Sequence, residues 1–198
     1  MDVVELGGIR LHLLTAYPGL PGEADRVVQA LRRLGPAVIL ADMDTDDALR
    51  VRAALAAKKP FQPGFVDALF CAQAQRRFAP DAKRVEHPLA AAARYARDRH
   101  ADLIPMRAIA PKPGFFLRRR ARKIADAIAR ADVDAFPQAF ERAMREASVW
   151  SPDAEIEAVR KRMMRVLAEG RAPVIAILQP HRRDAFEEAV LATGRIHA

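Results

Sequence analysis

The chain has 198 residues, of which 51% are apolar and only 6% aromatic, and a formal net charge of +8 at pH 7. That length suits one domain with a largely aliphatic core, built without help from disulfides or a structural metal. A single cysteine, Cys71, excludes an internal disulfide, and no apolar run approaches the ~18 residues of a membrane span.

The start, "MDVVELGG", lacks the basic residues and long apolar stretch of a signal peptide. With one cysteine, a reducing, cytoplasmic setting is expected. Cys71 sits in a helix-like apolar stretch and is expected to be a buried structural residue. The excess of Arg favours anionic partners such as nucleic acid, anionic lipid or phosphorylated metabolites; the plainer reading is a charged, soluble surface.

In chain order, residues 3–6 and 9–15 are short β-like runs joined by Gly7-Gly8, a hairpin signal. Val27, Val28, Leu31 and Leu34 recur at helical spacing, and Gly35-Pro36 ends that helix. "AVILA" (37–41) is apolar on both faces, as a buried parallel strand is. A second helix follows, with Asp44 or Thr45 as N-cap and acidic residues at its positive end. Residues 65–78 read as a helix, as does the stretch from His87 or Pro88 to His100, and 101–108 as a strand that Pro105 places at an edge or strand end. Two helices are expected over 114–131 and 134–147, the second with Phe136, Phe140, Met144 and Ala147 on one face. Ser151-Pro152 signals another helix start, followed by a stripe of Ile156, Val159, Met163 and Val166. "PVIAIL" (173–178) is a second doubly buried strand, and His181 to Thr193 forms the last helix. The expected fold is three-layer α/β: a mostly parallel sheet of about four or five strands with helices on both faces. It forms a single domain over 1–198, with a helical insertion or cap over 114–170 before the last strand.

In open α/β sheets ligands bind beyond the carboxyl ends of the strands. Here those ends carry Tyr17, then Asp42 and Asp44, then Gln179 and His181. If the strands are parallel neighbours, these residues share one rim. His181 suits a general base, since imidazole titrates near neutrality; Asp42 and Asp44 suit orientation of that base or a hard divalent cation, Mg²⁺ or Mn²⁺ rather than Zn²⁺. The rival reading makes Asp42, Asp44 and His181 caps and loop groups. Arg107, after the third strand of the rim, and Arg118, on the helix that follows, are candidate sources of positive charge for a ligand.

"FFLRRRARK" (115–123) is the densest basic run. It offers phosphate contacts to nucleic acid; the plainer reading is a solvated face paired with acids. Helical periodicity places Phe115 and Phe116 in the core. No P-loop, glycine dinucleotide fingerprint, HExxH, CxxC or G-x-S-x-G is present.

Leu14-Thr15-Ala16-Tyr17 after the first long strand, Leu178-Gln179-Pro180-His181 after the last, and Asp42 of "VILADMD" follow one pattern. An Ala-rich helix, a strand and an Arg-rich helix lie between. In this the chain resembles the TraB/PrgY (pheromone-shutdown) family, related to ChaN- and EreA-like proteins, which carries Gly-x-x-His at both strand ends. Here both glycines are replaced, Tyr17 stands at the first histidine position and His181 at the second. The resemblance implies a divergent relative that binds a small ligand or peptide at the rim. That family is proposed to include metal-dependent peptidases; any hydrolysis here would rest on His181 as base, with Asp42 orienting it or holding a divalent cation. No other cofactor is implied. The alternative is a non-enzymatic protein whose Arg-rich helix binds nucleic acid or another anionic partner. A homodimer is left open.

Overall fold

Every strand and helix expected from the sequence forms; most lie within a residue or two of their expected bounds, while the strand expected over 101–108 ends at Pro105 and the helix expected over 114–131 ends at Ile128. The computed structural model describes residues 1–82, 85–107, 115–130, 132, 135–147 and 152–194. The order is β1 (Asp2–Leu6), β2 (Ile9–Thr15), α1 (Glu23–Leu34), β3 (Val38–Ala41), α2 (Thr45–Ala56), α3 (Phe65–Phe78), α4 (Pro88–Arg99) and β4 (Asp102–Pro105). Then follow α5 (Phe115–Ile128), α6 (Phe136–Ala147), α7 (Pro152–Glu169), β5 (Val174–Leu178), a single 3-10 turn at Pro180–Arg182 and α8 (Arg183–Gly194). The expected loop 109–114, the cap Ser151 and the side chain of Ala147 lie outside the described residues. His181 falls in the 3-10 turn, so the last α-helix begins two residues later than expected.

The sheet has five strands in the order β1-β2-β5-β3-β4. Only β1–β2 is antiparallel, closed by Gly7 and Gly8, both in the left-handed region. The other four strands run parallel, so their carboxyl ends share one rim. All four residues of β3 and all five of β5 are buried, as their unbroken apolar character requires.

Alternation along the strands sends side chains to two layers. Leu14, Ile39, Ala41, Ile175 and Ile177 pack against α1, α2 and α4. Buried Ala90 to Ala93 and Ala96 make α4 a smooth surface, and the Tyr95 hydroxyl donates to the Leu31 carbonyl of α1 at 3.0 Å. Leu11, Leu13, Val38, Leu40 and Val174 face α7 and α8 through Val159, Met163, Val166, Phe186 and Val190. Burying side chains of this size stabilises by about 1.5–3 kcal/mol each. A third cluster joins α3, α5 and α6 through Phe70, Ala74, Ala121, Ala125, Phe136, Phe140 and Met144. The block 114–170 is therefore divided: α5 and α6 pack with α3, while α7 covers the sheet.

Phe115 and Phe116 depart from the expectation. They are 73% and 84% exposed, because Ala121 and Ala125 are the residues α5 turns inward.

The loop after β2 is pinned at both ends. The Tyr17 amide donates to Glu23 Oε2 at 2.8 Å, and Arg26 donates to the Thr15 carbonyl. At its apex Gly19 has φ +89, and a Cβ there would lie 2.7 Å from the Cα and carbonyl oxygen of Cys71 on α3. Gly19→Ala is expected to lose about 3 kcal/mol through left-handed strain and backbone overlap. Urea unfolding reads this; a loss below about 0.5 kcal/mol would show that the loop and α3 can separate at no cost.

Candidate functional site at the strand ends

Strand β5 lies between β2 and β3, yet it exits toward α8 on one face while its neighbours exit toward α1 and α2 on the other. Such a divergence opens a crevice at the carboxyl ends. Asp42 leaves β3 there, Arg107 leaves β4, and Gln179, His181 and Arg182 leave β5. The backbone fixes them: the Asp42 amide donates to the Ile177 carbonyl at 3.0 Å and the Arg107 amide to the Met43 carbonyl at 3.0 Å. The Gln179 amide donates to Asp42 Oδ2 at 2.8 Å, tying the ends of β3 and β5 together.

Arg107 is the hub. Its guanidinium ion-pairs with Asp47, lies 3.7 Å from Asp42 and 3.6 Å from Asp67. Burial alone would lower its pKa, but Asp67, Asp42, Asp47 and Asp44 outweigh that and raise it. Arg182 approaches Asp42 from the other side at 3.5 Å, and Arg50 pairs with Asp47. Burial pushes the Asp42 carboxyl up, and the two guanidiniums and the Gln179 amide oppose that shift.

His181 is buried, with Nε2 accepting from Arg182 Nε at 3.2 Å. The ring proton then belongs on Nδ1, which is buried and has no hydrogen-bond partner. Burial first, then Arg182, Arg107 and Arg145, hold its pKa well below the ordinary range, so it is neutral at physiological pH. Its basic lone pair points at a cation.

The predicted residues do not all meet. Asp42, Arg107 and His181 converge, and Asp44 sits at the margin as the cap of α2, accepting from the Asp47 amide at 2.7 Å. Tyr17 turns to α6, with its ring 6.4 Å from Phe136 and 6.0 Å from Phe140; it shares no hydrogen bond with Asp42 or His181 among the described residues. Burial, then Glu141 and Glu23, raise its pKa. Arg118 lies over the Phe65 ring at 5.3 Å. Sequence reading passed over Asp47, read as a dipole residue, and Asp67, whose signal is a lone acid inside the apolar run "FVDALF". It also passed over His87, the cap of α4. Cys71 is half-buried where a buried residue was expected; burial still pushes its thiol up, which keeps it protonated.

The donor set does not suit a divalent cation. Asp42, Asp47 and Asp67 all turn to Arg107, so a guanidinium fills the place an ion would take. Among the described residues no three His, Cys, Asp or Glu side chains are grouped to hold a metal. A cavity of about 20 Å³, room for about one water, opens beside the hub between Asp42, Arg107 and Arg182 on one side and Val159, Leu178 and Phe186 on the other. A larger concavity, about 610 Å³, lies away from the site along the edge of β4, and no helix among the described residues is long and apolar enough to cross a membrane. No protein-family model, curated protein or solved structure matches the chain.

Proposed function

We propose that the chain is a divergent TraB-like protein that binds a small ligand or peptide at the strand-end rim, through an anionic group held between Arg107 and Arg182. One observation carries the reading: Arg107 Nε, on the wall of the cleft, is buried and has no hydrogen-bond partner. A buried donor without a hydrogen bond is costly, and a carboxylate or phosphate oxygen would satisfy it. Asp47 fixes the far end of the Arg107 guanidinium, and Asp42 Oδ1 stands 3.7 Å from Nε, beyond hydrogen-bond reach, so an oxygen entering the cleft would meet a donor already held in place. The cleft admits only its tip, and the rest of the ligand would lie over the apolar wall of Val159, Leu178 and Phe186.

Binding without hydrolysis is the form this arrangement supports. A base needs an available lone pair near the proton it takes, and His181 offers Nε2 to Arg182.

Calorimetric titration with inorganic phosphate, and with acetyl-Ala-Phe bearing a free or an amidated C-terminus, tests the reading. Phosphate and the free acid are expected to bind and the amide to fail. Arg182→Gln should weaken binding roughly ten-fold or more, the scale of a hydrogen bond to a charged group. Equal affinity for acid and amide, or no binding of either anion, would remove it.

A further inference from the structure

The most anomalous surface is the outer face of α5. A helix that buries Ala121 and Ala125 against α3 and α6 has satisfied its inward side. Its outward side carries two rows at helical spacing: Phe115, Arg119 and Arg122, and Phe116, Arg120 and Lys123. Each row starts with a phenyl ring in solvent and continues with two exposed cations. None of the four cations has an ion-pair partner among the described residues. The one acid on this face, Asp126, accepts from Gln73 instead, at 3.4 Å.

We propose that this face of α5 docks on the surface of an anionic phospholipid bilayer, with Phe115 and Phe116 inserted and Arg119, Arg120, Arg122 and Lys123 at the phosphate level. Two features select a bilayer over the other polyanion, nucleic acid. The rings of Phe115 and Phe116 lie 5.8 Å apart at 78°, edge against face, and form one apolar wedge. Successive bases need separate ring faces to stack on. The wedge also sits at one end of the basic rows, so a phosphate track along the cations would leave it in water. A bilayer takes both at once, burying the apolar tips and pairing the cations with lipid phosphates. The helix lies along the surface and does not cross it, so it needs no long apolar segment.

Flotation of the full chain with phosphatidylcholine vesicles, with and without phosphatidylglycerol, tests this. Binding is expected only with phosphatidylglycerol, and it should weaken as salt rises. Removing Arg119, Arg122 and Lys123 together as glutamines should lower affinity by about five-fold per charge, roughly a hundred-fold in all. Phe115→Ser with Phe116→Ser should lower it at least ten-fold at unchanged net charge. All five side chains are exposed, so thermal unfolding of both variants should match the parent and separate lost docking from lost folding. The proposal is overturned if no vesicles are bound. It is equally overturned if the serine variant binds like the parent, which would leave only diffuse charge attraction. A single-stranded oligonucleotide that displaces the vesicles, and whose own binding is lost in the serine variant, would make the face a nucleic-acid surface instead. Titrations of the rim are independent of every one of these outcomes.

Discussion

Arg107→Met is expected to cost about 4 kcal/mol at pH 7, because breaking a buried ion pair leaves its partners charged and uncompensated. Three buried carboxylates, Asp42, Asp47 and Asp67, lose their shared counter-charge at once; Asp42 retains Arg182 and Asp47 retains Arg50, while Asp67 is left with the neutral Gln179 side-chain amide at 3.3 Å. In a chain of this size that is a fall in Tm of about 8–16 °C. The loss should be pH-dependent. Burial already holds the Asp42 carboxyl high, and removing the Arg107 guanidinium takes away one of the charges that oppose that shift. A raised carboxyl favours the folded state below its ordinary range and loses that contribution as pH climbs. The gap between variant and parent should therefore narrow on going from pH 7 toward about 4.5. Asp67→Asn placed on top of Arg107→Met should restore part of the stability, since one uncompensated charge is gone. Urea unfolding of the single and double variants at two pH values measures all three effects. A loss under about 1 kcal/mol, or a gap that does not change with pH, would mean that water already screens the cluster.

A second large effect runs the other way with pH. His87 is buried, its Nδ1 accepts from the Leu89 amide at 3.2 Å, and Nε2 has no partner. Burial pushes its pKa down from 6.5 to about 4; Asp67 and Asp47 oppose the shift only in part. The unfolded chain therefore binds a proton that the folded chain refuses between about pH 6.5 and 4. Stability from this residue is present above pH 6.5 and falls by about 3 kcal/mol by pH 4. His181, also held low, adds in the same direction. Asp42, held high, opposes both as the pH falls through its raised range. His87→Asn keeps an acceptor for the α4 cap and removes the titration. Its stability curve should be flatter than the parent's by about one proton between pH 6.5 and 4. Parallel curves would place a charged His87 in the fold.

The layers and the rim were legible because they depend on local patterning. Unbroken apolar runs marked β3 and β5 as interior, and parallel strands must deliver Asp42, Arg107 and His181 to one side. The hub was not legible in the same way. Asp67 comes from α3, about 40 residues from Arg107, and only tertiary packing brings helix and strand end together. The direction of Tyr17 was hidden for a related reason: Glu23 and Arg26 fold its loop so that the ring joins Phe136 and Phe140. Phe115 and Phe116 show the limit of periodicity. A helix can satisfy its inward face with alanines, and two phenylalanines at its first turn then fall on the other side.

The order β1-β2-β5-β3-β4 also has a consequence for how the chain is made. The middle slot of the sheet belongs to the strand synthesised last. Until residues 174–178 leave the ribosome, β2 and β3 have no neighbour on their facing edges, and Asp42 has no Gln179 amide to hold. Hairpin and helices can form early, but the sheet closes only by insertion of β5 between strands more than 130 residues upstream. Such long-range closure is slow, and it leaves apolar edges open while it waits. A nascent chain stalled before residue 174 would therefore present two apolar strand edges with no neighbour between them.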